Sequence, residues 1–412
     1  LKEKPQNICL LGSTGSIGKQ VLNLVQRSKL ESKQNRYKII SLACRGSDQE
    51  LILEQIKNFQ PERFFIYQKE VAEEIRQKLS FTDLRTKIYS QNSDYLIELC
   101  LDPKVETVIV SSAGTIALKA CLASIKAKKK IIIANKETLI SAGQLINETL
   151  ESNPESILIP ADSEHAGIHQ CLNPSLNFSS NPSLNNKQLD SVRNLYLTAS
   201  GGPFFKKKDL NFQEVKVEEA LNHPTWQMGK KITIDSATMM NKGFEIIEAH
   251  YLFKVDYSKI KAVVHPQSLV HSLVEFKDGN ILAQLAPNDM RLILQYCLDF
   301  PERKNNLSEQ YLDLFEINKL EFYQPDYKRF KCLEIAYFAG KLKQSYPATL
   351  VIADQMAIDL FFMKKISFAQ IPEVIDRILQ DHSPCEIKEP EDLEQIKKKI
   401  ESNFLNFETQ VS

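Results

Sequence analysis

Short apolar runs alternate with amphipathic stretches through the first 160 residues. Runs at 7–11, 37–44, 63–66, 107–110, 131–134 and 157–160 have the length and continuous apolar character of strands buried on both faces. Between them, Val21, Leu22, Leu24 and Val25 recur at helical spacing, as do apolar positions in 71–79 and 116–125. This alternation predicts an α/β fold with an open parallel sheet and crossover helices. Farther on, 194–198, 263–271 and 281–285 read as strands of a second, mixed sheet, and 292–298 as a helix. Ile232 and Ile234 alternate with polar residues and predict a short strand, followed by a helix whose apolar face carries Phe244, Ile247 and Tyr251. From about residue 320 the spacing is helical, at 332–338, 350–363, 371–379 and 393–404. The pattern fails at 171–191, a polar stretch in which Asn-Pro-Ser-Leu-Asn occurs at 173 and again at 181, and which reads as an exposed loop.

Composition narrows the classes. The 412 residues are enough for two or three domains with cores of their own. Lysine plus arginine equals aspartate plus glutamate, 52 against 52, so no global basic field exists to attract nucleic acid or an anionic membrane. Any phosphate recognition must be local. No apolar run approaches the ~20 residues that span a bilayer. The eight cysteines are scattered without a C-x-x-C pair, which argues for reduced thiols in a cytosol-like compartment, and Cys9, Cys121 and Cys297 read as core filler. The sequence begins at Leu1, which leaves open a removed targeting segment: plastid stroma would then replace a bacterial-type cytoplasm.

The first apolar run feeds into Gly12-Ser-Thr-Gly15-Ser-Ile-Gly18, and a helix follows. Strand, glycine turn and helix in that order let backbone N–H groups approach a pyrophosphate, so residues 1–160 read as a Rossmann-like dinucleotide domain. The next strand ends in Arg45-Gly46-Ser47 instead of an acidic residue. A guanidinium and a hydroxyl there favour the 2′-phosphate of NADP(H), the alternative being a solvated loop. Asp162 and Glu164 follow the strand at 157–160; if the chain is still extended, their carboxylates point the same way. With Glu245 they would make a three-carboxylate site for a hard cation. His165 and His169 stand four apart but lack the glutamate of the zinc-helix motif. Around Glu245 lies a polar cluster, Asp235, Ser236, Thr238, Asn241 and Lys242, whose hydroxyl, amide and ammonium groups can hydrogen-bond one anion. Ser200 lies at the lip of the Ser200–Pro203 turn, and the segment from His223 to Gly229, with the only tryptophan, suits a mobile flap.

These motifs together resemble the 1-deoxy-D-xylulose 5-phosphate reductoisomerase family. They are GSTGSIG at 12–18, ANKETL at 134–139, PADSEH at 160–165, TASGGPF at 198–204, HPTWQMGKKITIDSATMMNKGFEIIEAHYLF at 223–253 and HPQSLVHS at 265–272. The resemblance implies metal ligation by Asp162, Glu164 and Glu245, with Mg²⁺, Mn²⁺ or Co²⁺ as the ion. It implies phosphate contacts from Ser200, Ser236, Asn241 and Lys242, with His223 near the substrate and Lys136 and Ser163 at its carbonyl end. Lys136, Asp162, Glu164, His223 and Glu245 would be the catalytic set. NADPH would meet Thr14, Gly15, Ser16, Ile17, Arg45, Gly46, Ser47, Asn135, Glu137 and Gly229. The implied organisation is an NADPH-binding domain at 1–160, a central catalytic domain at 161–295 with a flap at 222–232, a linker at 296–320, a C-terminal helical domain at 321–412, and a homodimer. The implied reaction is the rearrangement and reduction of 1-deoxy-D-xylulose 5-phosphate to 2-C-methyl-D-erythritol 4-phosphate in non-mevalonate isoprenoid synthesis. An NADP-dependent dehydrogenase of another phosphorylated small molecule, without isomerisation, is the competing enzyme reading, and an inert nucleotide-binding protein the non-enzymatic one. Two segments depart from the family pattern. Pro287-Asn-Asp-Met290 replaces Pro-Asp-Met, and Ile352-Ala-Asp-Gln-Met356 replaces Asn-Ala-Ala-Asn-Glu; both are expected to bear on packing or dimer contacts.

Overall fold

Seven parallel strands stand side by side in the order β4-β3-β2-β1-β5-β6-β7 in the computed structural model. They are β1 (Gln6–Leu11), β2 (Tyr37–Cys44), β3 (Arg63–Ile66), β4 (Lys87–Tyr89), β5 (Thr107–Val110), β6 (Lys130–Ile133) and β7 (Ile157–Pro160). The structure describes residues 4–31, 35–172, 189–226 and 228–411; the repeated pentapeptide at 173 and 181 lies outside them. Helices cover both faces of the sheet. Ile8 and Leu10 pack with Val21 and Leu24 of α1 (Ser16–Glu31), while Cys9 and Leu11 turn to the opposite core. Both faces being dry explains the unbroken apolar runs. Each large aliphatic side chain so buried contributes roughly 1.5–3 kcal/mol. Seven cysteines are buried and Cys385 is exposed, none of them in a disulfide.

The sheet reverses winding between β1 and β5, which is where such sheets open a ligand crevice at their C-terminal edge. A second sheet, β11-β10-β8-β9, is built from β8 (Val192–Ala199), β9 (Ile260–Val264), β10 (Val270–Phe276) and β11 (Ile281–Leu285). It is mixed: β8 runs parallel to β9 and antiparallel to β10. The single strand expected over 263–271 is in fact two, because the Pro266 turn intervenes and Ser268 adopts a left-handed backbone (φ 54°). The helix Met290–Asp299 packs its Ile293, Leu294 and Cys297 into the core shared with α1. Four helices at Lys331–Leu342, Tyr346–Phe362, Ile371–Gln380 and Pro390–Val411 complete the chain.

The strand expected at Ile232 and Ile234 is a helix, Lys230–Thr238, followed by a second helix, Met240–Phe253. The residues that it buries include Ile234, Ala237 and Thr238, an i, i+3, i+4 set that outweighs the two-residue alternation of the isoleucines. Met239, in the left-handed conformation (φ 61°), breaks the chain between them.

Candidate active site

The ends of β6 and β7 begin the site. Asn135 caps the helix α6 (Lys136–Glu151), its Oδ1 accepting from the Thr138 N–H at 2.7 Å, so Lys136 is the first residue of the helix. Past β7, Asp162 Oδ1 accepts from Ser163 N–H at 2.9 Å at the start of α7 (Ser163–Leu172). Asp162 and Glu164 are therefore not on an extended chain: the backbone carbonyl of Asp162 already accepts from Ala166 N–H at 2.8 Å, and Glu164 sits in the first helical turn. Their carboxylates still converge. Ligand atoms of Asp162, Glu164 and Glu245 lie within 4.8 Å of one another. Glu245 reaches them from the helix Met240–Phe253 and is 1 % exposed.

Two ammonium groups lace the carboxylates together. Lys136 Nζ donates to Asn241 Oδ1 at 2.7 Å and pairs with Asp162 Oδ2 at 2.6 Å and Glu245 Oε1 at 3.2 Å. Lys242 Nζ pairs with Glu164 Oε1 at 2.6 Å and also with Glu245 Oε2. Burial alone would raise the Asp162 carboxyl, but the charge of Lys136, with His165 and Lys242, holds it well below the usual carboxylate range. Glu245 goes the other way, pushed up by burial and by the neighbouring charge of Glu164. Burial would lower Lys242, and the carboxylates of Glu164 and Glu245 reverse that. Three carboxylates against two ammoniums leave an excess negative charge, and an all-oxygen donor set suits a hard divalent cation.

Beside this cluster a cavity of about 650 Å³ is walled by Lys136, Asp162, Ser163, Glu164 and Glu245 together with Ser200, His223, Ser236, Asn241 and Lys242, the last two bonded directly to the carboxylate cluster. Gly202 lets the Ser200 turn approach the helix Lys230–Thr238. Its φ is +66°, and a Cβ there would lie 2.7 Å from Ser236 O. His223 Nδ1 accepts from the backbone N–H groups of Trp226 (2.9 Å) and Thr225 (3.2 Å), so the ring proton is on Nε2, which donates to Ser200 Oγ at 3.0 Å. Ser200 Oγ also accepts from Gly202 N–H at 3.2 Å. Burial lowers His223 to about 4, keeping the ring neutral near pH 7.

Family models match along the chain: one described as 1-deoxy-D-xylulose 5-phosphate reductoisomerase over residues 8–143, and two for C-terminal domains of that enzyme over 158–253 and 285–402. A 1-deoxy-D-xylulose 5-phosphate reductoisomerase of Clostridium tetani is 44% identical over 375 residues, 91% of this chain and 92% of its own length. This chain belongs to the 1-deoxy-D-xylulose 5-phosphate reductoisomerase family. The Endomicrobium trichonymphae member is 41% identical, over 92% of both chains. Among solved reductoisomerases, a magnesium complex superimposes with a TM-score of 0.89 at 33% identity, covering 99% of this chain and 100% of that one. The Zymomonas mobilis enzyme in complex with NADPH gives 0.85 at 32% identity, over 96% and 97%.

Within the reductoisomerase frame, Ser16, Ile17 and Gly229 also line the cavity, whereas Thr14, Gly15, Arg45, Gly46, Ser47 and Glu137 lie outside its wall, after β1, β2 and β6. Gly12 makes the first of these turns possible: its φ is +95°, and a Cβ would sit 2.5 Å from Ser111 O. Asn135 donates to Gly114 O at 2.6 Å as well as to Ser112 O, tying the turn after β5 to α6. Asp235 and Thr238 do not line the cavity. Thr238 Oγ1 donates back to Ile234 O at 3.1 Å, and Asp235 faces Lys231. Sequence reasoning missed His271, 3 % exposed in the cavity wall with its ring 6.3 Å from Trp226, although the repeated histidine of HPQSLVHS was a signal. Of the two departures from the family pattern, Asn288, Asp289 and Met290 line the cavity, whereas Asp354 makes a buried contact between helices, pairing with Lys231 at 2.6 Å.

Proposed function

We propose that this protein rearranges and reduces 1-deoxy-D-xylulose 5-phosphate to 2-C-methyl-D-erythritol 4-phosphate with NADPH and a divalent cation. The observation that carries the reading is the convergence of Asp162, Glu164 and Glu245 in the wall of a cavity that Ser200, Ser236, Asn241 and Lys242 also line. When bound, the cation supplies Lewis acidity and NADPH a hydride. Relatives solved with NADPH, fosmidomycin and magnesium support both groups, and Asp162, Glu164 and Glu245 are the residues that would hold the ion.

The rest falls to the chain's own groups. Ser200, Ser236, Asn241 and Lys242 bind the phosphate, and that remote binding energy positions the reacting carbons. Lys136, tied to both Asp162 and Asn241, orients the carbonyl end and offers a positive charge where oxygen charge develops. Ser163, at the start of α7, contacts the same end. His223 and Trp226 close over the substrate and exclude water. Arg45 and Ser47 select the 2′-phosphate of NADPH at the end of β2. The homodimer belongs to this proposal too: β11 is an edge strand with Ile281 52 % and Leu282 41 % exposed, an apolar border for a second copy. No described helix is long and apolar enough to cross a membrane.

The test is NADPH oxidation with 1-deoxy-D-xylulose 5-phosphate, with and without EDTA, and identification of the product. Metal-dependent formation of the branched polyol phosphate is the expected result. Reduction without skeletal rearrangement would leave the plain dehydrogenase.

A further inference from the structure

Lys231 stands two residues past Gly229, in the first turn of the helix Lys230–Thr238, yet it is absent from the cavity wall. Its ammonium pairs with Asp235 Oδ2 at 2.8 Å and with Asp354 Oδ2 at 2.6 Å, and lies 4.6 Å from the centre of the Phe244 ring. Asp354 belongs to the helix Tyr346–Phe362 and is 0 % exposed; Asp235 is 2 % exposed. One cation thus joins three helices: its own, Tyr346–Phe362 through Asp354, and Met240–Phe253 through Phe244.

Two buried carboxylates against one ammonium cannot both be charged cheaply. Burial first, then the charge of Asp354, pushes the Asp235 carboxyl well above its ordinary value. Burial would lower Lys231, but Asp235, Asp354 and Glu137 keep it protonated. Asp235 is followed directly by Ser236, which faces the cavity. Neighbouring helical residues point about 100° apart, so anchoring Asp235 on one side sets the direction of Ser236 on the other.

We propose that Lys231 and Asp354 act as a positioning latch for the phosphate end of the site. The latch fixes the rotation of the helix Lys230–Thr238, and with it Ser236 and the downstream stem of the flap, against the C-terminal helices. It touches no substrate atom. The inference rests on the proposed function for the identity of the ligand.

The experiment uses the full chain with Asp354→Ala, Asp354→Asn and Lys231→Arg. Asp354→Ala should raise KM for the phosphorylated substrate by about tenfold while KM for NADPH stays within about twofold, and Lys231→Arg should stay near the parent. Unchanged substrate KM, or equal shifts in both KM values as a loosened fold would give, overturns the latch. Trp226, the only tryptophan, lies on the flap, so its emission on titration with inorganic phosphate gives a reading that needs no turnover. A roughly tenfold weaker phosphate response in Asp354→Ala supports the latch, and an identical response overturns it. If the parent fails to convert 1-deoxy-D-xylulose 5-phosphate, the proposed function fails while the phosphate titration still decides the latch. Should Asp354→Ala not fold, the isosteric Asp354→Asn, which drops the charge and keeps the volume, decides by the same titrations.

Discussion

His223 gives its one ring proton to Ser200 and takes hydrogen bonds from the Thr225 and Trp226 backbone on its other nitrogen. A single neutral imidazole therefore couples the Ser200 turn to the backbone at Trp226. Protonating Nδ1 would break the bond from Trp226 N–H, turning an acceptor into a donor.

A pH dependence follows. His223 and His271 are each lowered by burial to about 4, against about 6.5 for a free imidazole. Between those values the unfolded chain binds more protons than the folded one, so stability falls as pH drops from about 6.5 to about 4. Urea midpoints at pH 7, 5.5 and 4.5 should decline in the parent, and His223→Gln should decline less. Equal slopes would remove His223 from the account.

Glu245→Gln keeps the shape and removes the charge that three helices bring together. Turnover should fall on the order of 100-fold, with a higher metal concentration needed for half-activity. Near-normal turnover across a Mn²⁺ titration would refute the ligand assignment, and EDTA treatment of the parent should mimic the variant.

Lys242→Ala removes a cation paired with both Glu164 and Glu245. The expected result is a rise in substrate KM of about tenfold or more, together with a lower thermal midpoint, because Glu164 and the buried Glu245 each lose an ion pair. An unchanged KM would place the phosphate elsewhere.

Arg45 is exposed just past β2. Arg45→Gln should raise KM for NADPH by about tenfold and leave KM for NADH unchanged, since only the former carries the 2′-phosphate. Parallel changes for both coenzymes would show that the guanidinium does not read that group.

The parallel sheet was legible because strands buried on both faces must be continuously apolar. The acidic trio was legible because few folds tolerate such charges without a cation. Its geometry was not. Asp162 and Glu164 converge because a helix starts at once after β7, Asp162 O taking its first bond from Ala166 N–H, and two residues of acidic alternation do not reveal that. Ile232 and Ile234 mimic a strand until Ala237 and Thr238 are counted with Ile234. Lys231 and Asp354 meet across more than a hundred residues, and no local spacing predicts such a pair.

The burial of seven cysteines beside an exposed Cys385 has a practical outcome. A maleimide dye added to the native protein would attach at a single known address in the C-terminal region. The unmodified chain could then be tethered, or followed by single-molecule fluorescence, without any prior removal of thiols.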